Sequence, residues 1–297
     1  MCTIPFTGSG VAIITPFRDG KINFDKLGEL LEMHVANSTD AIVICGTTGE
    51  ASAMPDSEHL EAIAYTVDKI KGRIPVIAGA GSNDTQHGVK LSMEAEKLGV
   101  DGLLSVTPYY NKTTQKGLYL HYMEIAKHVN IPIILYNVPS RTGVNIQPET
   151  LLKLSEADTI VGIKEASGNM SQATKIAALL GDRIAMYSGD DDMILPVLSV
   201  GGKGVISVLA NILPQETHDI CENFFAGNLE EARKLQLKYY DLVKALFIEV
   251  NPIPVKEAMN LLGYEVGELR LPLCAMEDKN REKLRYELER VGLTIKK

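Results

Sequence analysis

One lysine stands at the end of an apolar segment, in the stretch TIVGIKEAS, where its amine could act as a nucleophile. The residues before Lys164 are mostly β-branched and predict a buried strand: Thr159, Ile160, Val161 and Ile163. Burial lowers the pKa of a lysine by favouring the neutral amine, and a neutral amine can attack a ketone to form a Schiff base. Lys164 is therefore a candidate catalytic residue, and the alternative is a solvated lysine at a strand end.

Two further residues could support such an amine. Tyr136 ends the apolar run before that of Lys164, and its hydroxyl can both donate and accept a hydrogen bond, which suits proton transfer. A tyrosine packed inside the protein with a hydrogen-bonded hydroxyl is the alternative. Glu165 follows Lys164 directly, and strand neighbours point to opposite faces, so we expect Glu165 to support the site or the fold.

Hydroxyl groups and one guanidinium could bind the carboxylates of a substrate. The corner GTTGE, residues 46–50, offers Thr47 and Thr48 beside two glycines that let a ligand approach the backbone closely. Arg141 lies in a corner stiffened by Pro139 and offers a planar fork for a second carboxylate, unless it is an ordinary surface arginine.

These residues follow short apolar runs that recur about every thirty residues, each followed by a segment of helical spacing. The eight runs lie at residues 11–15, 41–45, 75–79, 102–106, 132–136, 160–164, 184–188 and 204–208. Both faces of each run are apolar, as parallel strands covered on two sides require. The pattern predicts an α/β fold, a (β/α)8 TIM barrel whose strand ends bring the candidate residues to one mouth. A doubly wound open sheet is the alternative, but the corner ITPFRDG lacks its glycine signature.

The alternation of strand and helix stops after about residue 227. We expect a catalytic barrel over residues 1–227 and a helical C-terminal domain over residues 228–297. The segment 228–247 has one apolar face, formed by Leu229, Ala232, Leu235, Tyr239, Leu242 and Leu246. Such faces usually serve packing.

Composition excludes several classes of function. The net charge is −8 and the basic residues form no long run, so nucleic acid is not an expected partner. The start MCTIPFTGSG does not look like a signal peptide and no apolar run approaches the ~20 residues that span a bilayer, so we expect no membrane partner and a cytoplasmic location. The cysteines form no CxxC pair and are expected to be reduced thiols: Cys2, Cys45, Cys221 and Cys274.

No metal site is expected either. The six histidines form no HxH or HExxH arrangement, and none ends a predicted strand. The run SGDDD could hold magnesium, but Asp190–Asp192 open a predicted helix, where acidic residues are favoured as caps. The glycines of GGKGVIS could form a phosphate site or allow close packing before the eighth strand.

Several motifs, taken together and in order, resemble the dihydrodipicolinate synthase family of class I pyruvate-dependent aldolases: GTTGE, TPYYNKTTQKGL, YNVPSRTG, IVGIKEASG, SGDDD, GGKGVISV and NPIPVK. The resemblance implies that Lys164 forms an imine with pyruvate and that Tyr136 relays protons. It assigns the remaining roles as follows: Thr47 and Tyr110 complete the relay, Thr48 and the backbone of Ile206 contact pyruvate, Gly189 lines the pocket, and Arg141 receives the carboxylate of aspartate semialdehyde.

The family resemblance also implies the reaction, a condensation of pyruvate with L-aspartate 4-semialdehyde in diaminopimelate and lysine biosynthesis, with no cofactor beyond the covalent imine. Sister enzymes such as N-acetylneuraminate lyase or a keto-deoxy sugar-acid aldolase are one alternative. Arg141 and the TPYYN motif favour the synthase, because a sugar acid requires hydroxyl partners at that place. A barrel that binds small molecules without catalysis is the other alternative.

Family resemblance further suggests a homotetramer of two tight dimers, in which Tyr110 reaches the site of a neighbouring subunit. Some members are inhibited by lysine at a cleft between paired subunits, where the matching residues here include Asp56, His59, Asn83, His87 and Tyr109. His87 stands where lysine-sensitive members have a glutamate that faces the α-ammonium, and Asp56 replaces a histidine. We therefore expect weak or absent inhibition by lysine.

Overall fold

The computed structural model describes residues 3–296, so Cys2 lies outside the described residues. The described strands are β1 (Gly8–Ala12), β2 (Phe17–Arg18), β3 (Lys21–Ile22), β4 (Ala41–Ile44), β5 (Val76–Gly79), β6 (Gly102–Val106), β7 (Ile133–Asn137), β8 (Ile160–Glu165), β9 (Ala185–Ser188) and β10 (Gly204–Ser207). Eight of them, β1 and β4 to β10, form a closed parallel barrel, and β2 pairs with β3 in a small hairpin. The (β/α)8 prediction is confirmed.

One or more helices follow each barrel strand along the chain. They are α1 (Phe24–Ala36), α2 (Asp56–Ile70), α3 (Thr85–Lys97), α4 (Gln115–Ala126), α5 (Pro139–Thr142), α6 (Pro148–Leu154), α7 (Met170–Leu180), α8 (Ile194–Ser199) and α9 (Pro214–Phe225). In α1 the side chain of Asn23 accepts a hydrogen bond from the Lys26 N–H at the N-terminus, and the buried face carries Leu27 and Leu31.

The first strand begins three residues earlier than the apolar run at 11–15 predicted. Gly8 and Gly204 are register partners at the junction of β1 and β10. A Cβ atom on Gly204 would lie 1.9 Å from the backbone oxygen of Gly8, so the two strands can approach only because this position lacks a side chain. Close packing therefore accounts for this glycine of GGKGVIS.

Among the described residues, four helices follow the barrel: α10 (Leu229–Lys238), α11 (Tyr240–Leu246), α12 (Ile253–Leu261) and α13 (Asp278–Arg290). The expected helix over 228–247 is interrupted at Tyr239, and Leu229 is exposed, whereas Leu242 and Leu246 are buried. Because α10 packs against α8 and α9, the extension is continuous with the barrel's outer layer. The domain boundary after residue 227 remains a proposal.

Candidate active site

Lys164 lies near the carboxyl end of β8 and is buried, with only 5% of its surface exposed. Removal from water lowers the pKa of the Lys164 amine to about 8, although the carboxylates of Asp191 and Asp190 oppose that change. A substantial fraction of the amine is therefore neutral near physiological pH, as a nucleophile requires. The alternative of a solvated strand-end lysine does not fit this placement.

Tyr136 on β7 is the direct register partner of Lys164 on the neighbouring strand. The amine nitrogen of Lys164 lies 4.4 Å from the centroid of the Tyr136 ring. Burial raises the pKa of the Tyr136 hydroxyl to about 12, while the positive charge of Arg141 and a hydrogen bond with Thr47 act in the opposite direction. Tyr136 is thus a protonated phenol at neutral pH and can donate its proton. To act as a relay, it must then regain a proton from Thr47 or from a substrate.

The GTTGE corner is a tight turn that follows β4. The N–H of Gly49 donates to the carbonyl of Gly46 and the N–H of Glu50 to the carbonyl of Thr47, each at 3.1 Å. The turn leaves Thr47 half-buried beside Tyr136 and buries Thr48. These two hydrogen bonds hold the backbone that carries both hydroxyl groups.

A buried ion pair fixes this corner to the C-terminal helices. The Lys256 amine donates to Glu50 Oε1 at 2.8 Å and to the Thr15 carbonyl at 3.1 Å, and the N–H of Arg270 donates to Glu50 Oε2 at 2.9 Å. Both charged side chains of the pair are fully buried. This contact was not predicted from the sequence, although a lysine in the apolar segment NPIPVK was a usable signal, since buried lysines are nearly always paired.

Asn251 joins two of the predicted substrate contacts. Its side-chain NH2 group donates to Thr48 Oγ1 at 3.0 Å, and its backbone carbonyl accepts a hydrogen bond from Arg141 Nη2 at 3.1 Å. Arg141 lies on α5 and is exposed, so its remaining donors are available to a ligand. Asn251 also belongs to the NPIPVK motif, but nothing in the sequence indicated its contacts.

Gly189 and Ile206 lie on the elements that follow β8 around the barrel. Gly189 comes directly after β9, and a Cβ atom there would lie 2.4 Å from that of Ala166. Ile206 is buried in β10, in the same interior cluster as Tyr136.

Asp191 does not cap α8 as predicted: its Oδ2 accepts from the backbone N–H groups of residues 208 and 209, both at 3.0 Å.

Glu165 has a structural role at the end of β8. One carboxylate oxygen accepts from Asn137 at 2.9 Å and Gln172 at 3.2 Å, and the other accepts from the backbone N–H of Ser167 at 2.9 Å. These bonds hold the loop after Lys164 and agree with the expectation that Glu165 supports the site.

A cavity of about 390 Å³ opens at the barrel mouth. Thr47, Tyr136 and Arg141 line one part of it, whereas Lys164 lies against the ring of Tyr136 and does not line this cavity. Tyr110 is 91% exposed and does not reach the cavity within this chain, in contrast to Tyr109, which lines it.

The far part of the cavity is lined by Asp56, His59 and His87. His87 Nε2 lies 3.0 Å from Asp56 Oδ1, and this hydrogen bond lowers the pKa of the Asp56 carboxyl. His87 Nδ1 lies 2.9 Å from Ser82 Oγ. Asp56 is therefore already engaged within its own chain.

The described part of the chain, residues 3–296, bears on metal binding and on membrane insertion. Within that range there is no group of three or more His, Cys, Asp or Glu side chains that could hold a metal ion. In the same range, every helix is too short or too polar to cross a bilayer. Cys45 and Cys221 are buried free thiols and Cys274 is an exposed one.

Comparison with known proteins gives consistent matches over nearly the whole chain. Residues 5–291 match the model of the dihydrodipicolinate synthetase family. The chain is 62% identical over 292 residues to the 4-hydroxy-tetrahydrodipicolinate synthase of Caldicellulosiruptor saccharolyticus, covering 98% of this chain and 99% of the relative.

Solved structures agree with this match. The dihydrodipicolinate synthase of Aquifex aeolicus superposes with a TM-score of 0.96 at 46% identity, covering 98% of this chain and 100% of the other. A dihydrodipicolinate synthase variant described as monomeric superposes with a TM-score of 0.95 at 42% identity, covering 97% of this chain and 98% of the other.

Proposed function

Since this chain belongs to the dihydrodipicolinate synthetase family, we propose that it condenses pyruvate with L-aspartate 4-semialdehyde to 4-hydroxy-tetrahydrodipicolinate. This is the first committed step of the diaminopimelate and lysine pathway, and the enzyme is a lyase. The observation that carries the proposal is the buried amine of Lys164, whose pKa is lowered to about 8 beside the hydroxyl-bearing residues Tyr136 and Thr47.

The proposed first half-reaction uses pyruvate alone. The neutral amine of Lys164 attacks the ketone carbon, and loss of water gives a protonated imine. Loss of a methyl proton then gives an enamine, because the imine nitrogen accepts the electron pair. Tyr136 and Thr47 move the protons of these steps, and Thr48 with the backbone of Ile206 holds the substrate. No cofactor is required, because the imine is itself the electron sink.

The second half-reaction forms the ring. The enamine carbon attacks the aldehyde of aspartate semialdehyde, whose oxygen takes a proton and becomes a hydroxyl. The amino group of that substrate then attacks the imine carbon, releases the amine of Lys164 and closes a six-membered ring. Arg141 binds the carboxylate of the second substrate through its planar fork. Gly189 lines the pocket, where a larger residue would meet Ala166.

Borohydride reduction in the presence of pyruvate tests the proposal directly. We expect a mass increase that maps to Lys164, and an unmodified Lys164 would favour a barrel that binds without catalysis. Product identification with aspartate semialdehyde, measured against N-acetylneuraminate and keto-deoxy sugar acids, separates the synthase from the sister aldolases.

Replacing Arg141 by alanine should raise the KM for aspartate semialdehyde about ten-fold or more and leave the pyruvate imine intact. A charge-assisted hydrogen bond contributes ~1.5–3 kcal/mol, and 1.4 kcal/mol corresponds to a factor of ten. Borohydride trapping and steady-state kinetics with each substrate varied measure the two effects. Arg141→Lys is the matched control, because it keeps the charge and loses the fork. Equal damage to both half-reactions contradicts the assignment.

We further propose a cytoplasmic homotetramer built from two tight dimers, in which Tyr110 completes the relay of the partner subunit. The exposure of Tyr110 supports this placement, because a tyrosine that is 91% exposed in a single chain has its surface free for a partner. Small molecules remain the substrates, with no role for nucleic acid.

Mixed dimers should test the sharing of Tyr110. Chains carrying Tyr110→Phe, when combined with chains carrying Lys164→Ala, should regain part of the activity that each lacks alone. In a mixed dimer, one of the two sites carries neither change. Activity is measured on hybrids separated by differently charged tags. Verified hybrids that remain as inactive as the parents refute the shared site.

Lysine should inhibit this enzyme weakly or not at all. His87 cannot supply the anion that a bound α-ammonium requires, and Asp56 is already hydrogen-bonded to His87 at 3.0 Å. Asn83, His59 and Tyr109 are still present, so some residual affinity is expected. A titration of activity against lysine at subsaturating pyruvate measures it. Half-inhibition well below ~1 mM lysine, which corresponds to about 4 kcal/mol of binding, contradicts the prediction.

A further inference from the structure

Asn251 lies in the C-terminal extension, between α11 and α12, yet its contacts are with the barrel mouth. The residue is 5% exposed. Its side chain donates to Thr48 Oγ1 and its backbone carbonyl accepts from Arg141, at 3.0 and 3.1 Å. These two partners are the residues assigned above to different substrates. One residue outside the barrel therefore contacts both parts of the substrate site.

We propose that Asn251 is a positioning residue that orients the hydroxyl of Thr48 as a hydrogen-bond donor to the carboxylate of pyruvate; this inference rests on the proposed function. An amide NH2 group only donates, so the oxygen of Thr48 must accept in this contact and its own proton points elsewhere. Within residues 3–296, the Thr48 hydroxyl has no recorded acceptor. Its proton is thus available to a carboxylate, which only accepts.

The two ends of this contact are held by one ion pair. Glu50 follows Thr48 by two residues in the GTTGE turn, and Lys256 follows Asn251 by five residues. The Lys256 amine and Glu50 Oε1 are 2.8 Å apart and buried. The geometry of the Asn251 amide relative to Thr48 is therefore fixed before a substrate arrives.

The unused oxygen of the amide supports a functional reason for Asn251. Asn251 Oδ1 is buried and has no hydrogen-bond partner among the described residues. A buried acceptor without a partner is unfavourable, so packing alone would favour an apolar residue here. The hydrogen bond to Thr48 is the one recorded bond of this side chain within the described chain.

Asn251→Ala and Asn251→Asp should distinguish positioning from packing. Alanine removes the donor and should raise the pyruvate concentration for half-maximal imine formation about three- to ten-fold, the effect of one hydrogen bond. Aspartate has nearly the same shape, but its carboxylate accepts the proton of Thr48 and places a negative charge beside the pyruvate carboxylate. We expect a loss of about a hundred-fold for aspartate, greater than for alanine, from like-charge repulsion at a partly buried site.

The KM for aspartate semialdehyde should change less than two-fold in Asn251→Ala, because the backbone carbonyl that binds Arg141 is retained. In a double-mutant cycle, Asn251→Ala should add nothing to Thr48→Val, since the contact is already lost. Thermal unfolding of each variant checks the fold. If the aspartate variant does not fold, the double-mutant cycle of Asn251→Ala and Thr48→Val still tests the positioning role of Asn251. Better retention of imine formation by aspartate than by alanine, or multiplying effects of the two substitutions, overturns the inference.

The same experiment separates this inference from the proposed function. Wild-type protein that traps no pyruvate under borohydride refutes the function itself. Wild-type protein that traps pyruvate normally, together with Asn251 variants whose pyruvate dependence is unchanged, refutes only the role of Asn251.

Discussion

Replacing Lys164 by alanine should abolish the pyruvate imine and nearly all turnover, while the barrel remains folded. The amine is the nucleophile of the proposed first step, and no hydroxyl nearby can form an imine with a ketone. Removing the buried amine also removes the cost of burying a charge, which offsets the packing lost with the side chain, so we expect little change in the free energy of unfolding. Borohydride trapping followed by peptide mass analysis measures imine formation directly.

The pH dependence gives a second measurement on Lys164. Its pKa is lowered to about 8 by burial, so the neutral fraction rises with pH and approaches one above that value. The wild-type rate of imine formation should therefore rise mainly between about pH 7 and 9 and become nearly constant above about pH 10. Lys164→Arg is the matched control, because it retains a charge that cannot become a neutral nucleophile. Full activity from a different lysine would refute the assignment.

Tyr136→Phe should slow turnover by about two to four orders of magnitude without unfolding the protein. Only the hydroxyl is lost, and a positioned proton donor typically contributes a factor of ~10²–10⁴. Its pKa of about 12 indicates a hydroxyl that is protonated at rest, so the expected defect lies in proton transfer. Binding of pyruvate should change little, because the ring that packs against Lys164 remains.

Single-turnover kinetics with pyruvate in deuterated water measure the effect of Tyr136→Phe on exchange of the methyl protons. Thr47→Val is the matched comparison, since it removes the hydroxyl that hydrogen-bonds to Tyr136 while keeping its shape. The two variants should slow exchange in the same step. An unchanged rate in Tyr136→Phe would make Tyr136 a packing residue of the barrel interior.

The barrel strands could be predicted because each is covered on both faces and therefore reads as a continuous apolar run. The burial of Lys164 could be proposed but not established, because periodicity does not distinguish a strand-end lysine in solvent from one inside a barrel. The shift of β1 depends on the approach of Gly8 to Gly204, residues far apart in sequence. Local pattern carries no information on such a contact.

The contacts of Asn251 and Lys256 were not predictable for the same reason. Asn251 bonds a hydroxyl 203 residues away, and Lys256 pairs with a carboxylate 206 residues away. The prediction that Asp191 caps a helix rested on the usual preference of acidic residues for helix N-termini. Its carboxylate instead accepts a hydrogen bond from the backbone after β10. Tertiary contacts replaced the local preference in each case.

The buried Lys256 amine bears on how the chain matures during synthesis. Translation delivers the eight strands before residues 250–270, so a nascent barrel holds Glu50 for a time without its cation. Because burying an unpaired carboxylate is unfavourable by several kcal/mol, we expect Glu50 to stay in contact with water until Lys256 and Arg270 arrive. The GTTGE turn therefore reaches its final contacts late in synthesis. A truncated protein that ends at residue 227 should form the barrel strands but lack catalytic activity.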